Sequence, residues 1–289
     1  MKITGHTQLT GLLGSPVAHS ISPLMHNEAF QRLGLDYAYL CFDVGEDTLP
    51  QAVEGLQALN VRGFNLTMPN KNKVIELLDD LSPAARLIGA VNTVVNENGR
   101  LIGYNTDGIG YWKAALDAGH DLTGETMTIM GAGGAATAIC AQAALNGAKK
   151  LHIFARSSSR FFARTEALVQ TINRTTSCCA FLHEHGNSAA LKDAIQESKL
   201  LLNATSVGMA PRTDTSILTD PSLFFPELIV SDVIYNPRET LFLKMAREAG
   251  CETFNGMYML LYQGAEAFRL WTGKEMPVDV IKKLFFTQK

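Results

Sequence analysis

The sequence predicts an α/β protein of two domains. Three observations carry that expectation. Apolar runs of strand length alternate with segments of helical periodicity from end to end. A glycine-rich turn stands between a strand and a helix near the middle, and a second alternating series builds around it. The chain has 289 residues, which at roughly 150 residues per domain suits two. Apolar residues make up 46% and charged residues 18%, which excludes a disordered or fibrous chain. A net charge of −3 gives no broad electrostatic attraction to nucleic acid. No apolar run reaches the roughly 18 residues of a membrane span.

The first series opens with a short strand, Leu9–Leu13, ending in the turn residues Gly14-Ser15-Pro16. Pro23 then starts a helix, with Ser22 as its N-cap. Leu24, Met25, Ala29, Phe30 and Leu33 share one helical face, and Gly34 ends the helix. A strand over Tyr37–Val44, an amphipathic helix over Thr48–Leu59 and a strand over Val61–Leu66 follow. This β-α-β-α-β order implies a parallel sheet. The second series starts near Leu122, with strands at Thr126–Met130, Lys150–Ala155, Leu200–Asn203 and Leu228–Val233. Helices fall from the glycine turn to about Asn146 and over Arg160–Asn173. A last apolar helix, Gly256–Thr272, is expected to return to the first domain. The expected domains are residues 1–112, residues 113–247, and C-terminal helices over 248–289 that complete the first domain.

Five cysteines, Cys41, Cys140, Cys178, Cys179 and Cys251, match no zinc spacing and are read as free thiols. Seven scattered histidines form no metal-binding cluster, so no metal is expected. Met1-Lys2-Ile3-Thr4-Gly5-His6 lacks the apolar core of a signal peptide, and a cytoplasmic location is expected.

The sharpest local signal is Gly131-Ala132-Gly133-Gly134-Ala135-Ala136, which follows a strand and opens a helix. In that context the pattern reads as a dinucleotide-binding turn. Gly131 permits the tight bend, Gly133 admits a pyrophosphate, and the helix N-terminus supplies N–H groups and positive potential. The next strand ends in Ala155-Arg156-Ser157-Ser158-Ser159-Arg160, with two arginines and no carboxylate. Arg156 and Arg160 suit a 2′-phosphate, with serine hydroxyls as further donors, so NADP is favoured over NAD.

In the first series, Ser20 and Ser22 stand beside a helix N-terminus, which suits a carboxylate. Asn65-Leu66-Thr67-Met68-Pro69-Asn70-Lys71, Asn92-Thr93 and Tyr104-Asn105-Thr106-Asp107-Gly108 gather amides, hydroxyls, one Lys and one Asp at loops. Such sheets bind ligands outside the carboxyl ends of their strands, and the set suits a small polyhydroxylated acid.

With these motifs in order, the chain resembles the shikimate dehydrogenases, and most closely their quinate/shikimate branch. The resemblance runs from Ser15-Pro16-Val17-Ala18-His19-Ser20-Ile21-Ser22-Pro23 through Asn65–Lys71, Gly89-Ala90-Val91-Asn92-Thr93, Asn105-Thr106-Asp107-Gly108 and the glycine turn. It continues through Asn203-Ala204-Thr205-Ser206-Val207-Gly208-Met209, Asp232-Val233-Ile234-Tyr235-Asn236-Pro237 and Gln263-Gly264-Ala265-Glu266. It implies a substrate domain followed by a Rossmann domain, and the reversible reduction of 3-dehydroshikimate to shikimate in aromatic amino-acid biosynthesis. It implies that Lys71 is catalytic together with Asp107. Ser20 and Ser22 would bind the substrate carboxylate, and Thr67, Asn92, Asp107 and Gln263 its hydroxyls, with Thr106 and Tyr235 beside them. The cofactor would rest on Gly131, Ala132, Gly133, Gly134, Ala135, Arg156, Ser157, Arg160, Thr205, Val233 and Gly256.

Two departures from the family pattern stand out. The quinate-using branch often carries an acidic residue after the Arg of the second Rossmann strand. Here Arg156-Ser157-Ser158 is closer to the N-R-T-x-x-R of NADP-specific enzymes, with Ala155 in place of Asn. NADP is therefore the expected cofactor, with NAD as a second one. Tyr258 stands where the family usually has a glycine near the nicotinamide. Three other readings compete: a quinate dehydrogenase using NAD or both cofactors, a non-catalytic sensor of shikimate-like acids, and a different two-domain NADP dehydrogenase such as one acting on folates. Small-molecule ligands are expected, with no nucleic-acid or membrane partner, and the chain is expected to be a monomer or a homodimer.

Overall fold

The structure is a computed structural model and describes residues 3–287. The chain forms two compact units, Met1–Thr106 together with Leu261–Lys289, and Asp107–Leu260.

The first unit begins with β1 (Gln8–Gly14), α1 (Ser22–Arg32), β2 (Tyr37–Asp43), α2 (Leu49–Ala58) and β3 (Gly63–Leu66). β1 pairs in parallel with both β2 and β3, as the alternation requires. Two local expectations change. Ser22 is the first helical residue of α1 and not its cap. The chain turns earlier, so the hydroxyl that reaches a free amide is that of Ser20, which accepts from the Ser22 N–H at 3.2 Å. The buried stripe of α1 is Met25, His26, Ala29 and Phe30. Leu24 and Leu33, expected on that face, are 60% and 40% exposed. The helix is rotated because Phe268 and Trp271, far along the chain, pack against the His26 and Phe30 side.

The sheet is also mixed where the sequence implied a parallel one. β4 (Asp80–Leu81), α3 (Pro83–Ile88), β5 (Thr93–Glu97) and β6 (Arg100–Tyr104) follow, and the sheet order is β2-β1-β3-β5-β6-β4. β5 runs antiparallel to both β3 and β6. The β5–β6 hairpin turns on Asn98 and Gly99, with φ of 56° and 91°, the left-handed pair that a two-residue hairpin needs. Leu13, Leu49, Val53, Phe64, Leu66 and Val94 pack a common core against the sheet.

The second unit starts with α4 (Asp107–Asp117) and continues β7 (Thr126–Met130), α5 (Gly134–Leu145), β8 (Lys150–Ala155), α6 (Phe162–Thr175) and β9 (Cys179–Glu184). It ends with α7 (Ser188–Glu197), β10 (Leu200–Asn203), β11 (Ile229–Asp232), α8 (Leu241–Glu248) and β12 (Glu252–Phe254). Its sheet is parallel throughout, in the order β12-β11-β10-β7-β8-β9. The order reverses between β7 and β10, which opens a crevice at their carboxyl ends. The units divide at 106/107 and 260/261, where the sequence suggested 112/113 and 247/248. α4 lies so close to α5 that a Cβ on Gly108 would strike the Ala138 carbonyl, so the whole helix belongs to this unit. β12 pairs with β11, which keeps residues 252–254 here as well.

α9 (Met257–Thr272) begins in the second unit and belongs to the first from Leu261 onward. Its buried Trp271 donates Nε1–H to the Val94 carbonyl at 2.9 Å, and Arg62 donates to the Trp271 carbonyl at 2.8 Å. The Phe268 ring stacks on Phe30 of α1 at 5.0 Å. The C-terminal helix therefore completes the first unit. Among the described residues, no helix is long and apolar enough to cross a membrane, and no group of His, Cys, Asp or Glu is placed to hold a metal.

Candidate active site

In the first unit a chain of buried amides and hydroxyls crosses the carboxyl ends of the strands. Tyr39 on β2 donates its hydroxyl to Asn65 Oδ1 on β3 at 2.8 Å. Burial pushes the Tyr39 phenol well above its ordinary pKa, while a hydrogen bond from the Ser22 hydroxyl acts the other way. Asn65 Nδ2 donates to the Asn92 carbonyl at 3.0 Å and to Thr93 Oγ1 at 2.9 Å. Asn92 Oδ1 accepts the Thr106 N–H at 2.8 Å. Its Nδ2 donates to Thr106 Oγ1 at 3.0 Å and to Gln263 Oε1 at 3.5 Å. The last bond is the long one of the set, and so the one a ligand hydroxyl replaces most cheaply. The structure thus gathers Asn92, which immediately precedes β5, Thr106, which lies just after β6, and Gln263 of α9.

Other groups predicted for the substrate lie on the loop after β3 and at the starts of α1 and α4. Thr67 directly follows β3, and its N–H donates to the Leu13 carbonyl at 3.0 Å. The Lys71 carbonyl accepts the Val91 N–H at 2.8 Å, which ties the lysine loop to the residue before Asn92. Ser20 and Ser22 hold the first turn of α1. Asp107 follows Thr106 directly and opens α4 in the second unit.

The second unit carries a groove of about 870 Å³ at the carboxyl ends of β7, β8, β10 and β11. The Gly131–Ala135 turn, Arg156, Thr205 and Val233, all expected at the cofactor, line it. Gly131 has φ +123°, and a Cβ there would lie 2.8 Å from the Ala204 carbonyl, so the bend demands glycine. α5 has Gly133 as N-cap and no side-chain cap, which leaves its first N–H groups for a ligand. A Cβ on Gly133 or Gly134 would meet nothing within 4 Å. An open, uncapped helix start beside Arg156 fits a dinucleotide pyrophosphate.

Three residues expected at the cofactor are not among those that line the groove. Ser157 gives its N–H to Glu184 Oε2 at 2.8 Å. The Arg160 guanidinium lies over the Phe161 ring at 4.7 Å, and Phe161, not Arg160, lines the groove. Gly256 is buried against the Val233 carbonyl. Tyr235, predicted for substrate, is exposed and lines the groove. Tyr258 is the second residue of α9 and is half-buried. Sequence reasoning missed Phe161 and His185 as lining residues. The position beside Arg160 signals the first. Nothing signals His185, because β9 has too weak an alternation to reveal the turn after it.

Below the groove, the Asp232 carboxylate ends β11. It accepts from the Ile234 N–H at 2.9 Å, from Thr240 Oγ1 at 2.8 Å and from Asn203 Nδ2 at 3.1 Å. Burial raises its carboxyl to about 6, with these three hydrogen bonds opposing the rise.

Comparison with known proteins places these features in context. Residues 12–94 match the family described as the shikimate dehydrogenase substrate binding domain. Residues 256–284 match the Shikimate 5′-dehydrogenase C-terminal domain. A protein of Listeria innocua named shikimate dehydrogenase (NADP(+)) is 53% identical over 285 residues, covering 99% of this chain and 98% of that protein. A crystal structure of shikimate 5-dehydrogenase from Listeria monocytogenes in complex with shikimate and NAD superposes with a TM-score of 0.96, at 53% identity and 99% coverage of both chains. Quinate dehydrogenase from Corynebacterium glutamicum, in complex with NAD, has a TM-score of 0.85 at 30% identity, covering 98% of this chain and 99% of that one.

Proposed function

Since the chain belongs to the shikimate dehydrogenase family, we propose that it catalyses the reversible NADP-dependent reduction of 3-dehydroshikimate to shikimate in aromatic amino-acid biosynthesis. It is an NAD(P)-dependent oxidoreductase. The observation that carries the substrate reading is the 2.8 Å tie between Lys71 and Val91, which joins an amine-bearing loop to the Asn92–Thr106–Gln263 cluster. In this reading Ser20 and Ser22 take the substrate carboxylate, where hydroxyls and a helix start meet. Thr67, Asn92, Asp107 and Gln263 hold ring hydroxyls, and Thr106 and Tyr235 are the further substrate residues of this reading. Lys71 accepts the proton of the C3 hydroxyl during oxidation and returns it during reduction, stabilising the oxyanion between those states. Asp107 is the second residue of the proposed catalytic pair. The dinucleotide, held on Gly131–Ala135 and Arg156, supplies the hydride chemistry. The reaction is placed in the cytoplasm, where thiols such as those of the five free cysteines stay reduced.

NAD use is a second reading, favoured by the NAD bound in the Listeria monocytogenes relative. Steady-state oxidation of shikimate and of quinate, each with NADP and with NAD, tests both. Shikimate with NADP is expected to lead in kcat/KM by about tenfold or more, a gap of roughly 1.4 kcal/mol. A lead for quinate overturns the substrate assignment, and a lead for NAD overturns the cofactor assignment.

A further inference from the structure

The loop that follows β8 meets a carboxylate that its own sequence does not contain. Glu184 is the last residue of β9 and pairs in register with Ala155, the last residue of β8. From there its Oε2 accepts the Ser157 N–H at 2.8 Å. The neighbours on both sides face the cofactor groove: Arg156 and Ser159 in one loop, His185 in the other. His185 is itself fixed by an N–H bond to the Ala155 carbonyl at 2.9 Å. We propose that Glu184 is a specificity-determining residue that lowers the preference of the groove for NADP over NAD. The proposal rests on the dehydrogenase reading above and adds to it a residue that no motif marks.

Two effects act together. The Ser157 N–H is a natural donor to a phosphate bound by Arg156, and Glu184 already occupies it. The exposed carboxylate also stands within one residue of Arg156, so it repels a 2′-phosphate while leaving a 2′-hydroxyl untouched. At about 6–8 Å in water, one pair of unit charges changes an equilibrium by a factor of roughly two to three. A phosphate carrying nearly two charges raises that to about three- to tenfold. Arg156 thus pulls the selection toward NADP, and Glu184 pulls it back.

Two variants separate the effects. Glu184→Gln keeps an acceptor for the Ser157 N–H and removes the charge. Glu184→Ala removes both. The Kd of NADP and of NAD would be measured by titration, alongside kcat/KM for each at saturating shikimate. The NADP-to-NAD ratio is expected to rise about three- to tenfold in Glu184→Gln and further in Glu184→Ala, with the change carried by the KM of NADP. A ratio unchanged in both variants overturns the proposal. So does an equal fall for both cofactors, which marks Glu184 as a loop support only. If the unaltered protein oxidises neither shikimate nor quinate, the dehydrogenase reading fails, and the two Kd values still decide the role of Glu184.

Discussion

Lys71 is the residue on which the proposed chemistry turns. Removing a hydride from a carbinol obliges the hydroxyl proton to leave, and of the residues assigned to the substrate only Lys71 carries an amine. Lys71→Ala is expected to lower kcat for shikimate oxidation by about 10²- to 10⁴-fold. The Kd of shikimate, read by titration, should move by less than about tenfold. A parallel loss of binding would make Lys71 a binding group and leave the proton without an assigned acceptor. At this scale, legibility follows the origin of each partner. The Gly131 bend is readable because its geometry comes from its own strand-turn-helix stretch. Ser157 and Arg160 were assigned to the cofactor from their types. In the folded chain Ser157 bonds to Glu184, 27 residues away, and Arg160 stacks on its neighbour Phe161.

Among the elements, α1 carries a built-in acid sensitivity. His26 is fully buried and stacks on Tyr39 at 4.4 Å. Among the described residues neither of its ring nitrogens has a hydrogen-bond partner. Burial lowers its pKa to about 3 from an ordinary value of 6.5. The folded protein therefore keeps His26 neutral in a range where the unfolded chain binds a proton. Its contribution to stability is fully present above pH 6.5 and is lost as pH falls from 6.5 toward 3. The loss amounts to about 2 kcal/mol at pH 5. In urea titrations at pH 7 and pH 5, wild type should lose about 2 kcal/mol more than His26→Phe, which keeps a ring and removes the charge. Equal losses in the two proteins would sink the idea. The hydrophobic pattern predicts α1 but misplaces its face, because periodicity ranks Leu24 and Leu33 above a histidine. Packing against α9 buries His26 and leaves both leucines exposed. The β5–β6 hairpin turns on Asn98-Gly99, a short-range signal that the expectation of a parallel sheet left out of account.

Over the whole molecule, the two tryptophans divide between the units, Trp112 in α4 and Trp271 in α9. Each single-tryptophan variant therefore reports on one unit. With Trp271→Phe, NADP at about 100 times its Kd should add about 2.7 kcal/mol to the unfolding reported by Trp112. With Trp112→Phe, shikimate at the same ratio should do so for the transition reported by Trp271. NADP leaving the Trp112 transition in place would remove the groove from its assigned role. The sequence by itself determined the two α/β units, the family, the dinucleotide turn and the order of the site motifs. Each is encoded by local periodicity or by neighbours a few residues apart. Only the tertiary structure decided that β5 runs antiparallel and that Glu184 holds the Ser157 amide. These contacts join residues far apart in the chain. Strand register and helix packing select them, because a buried polar group must find its partner wherever the fold places one.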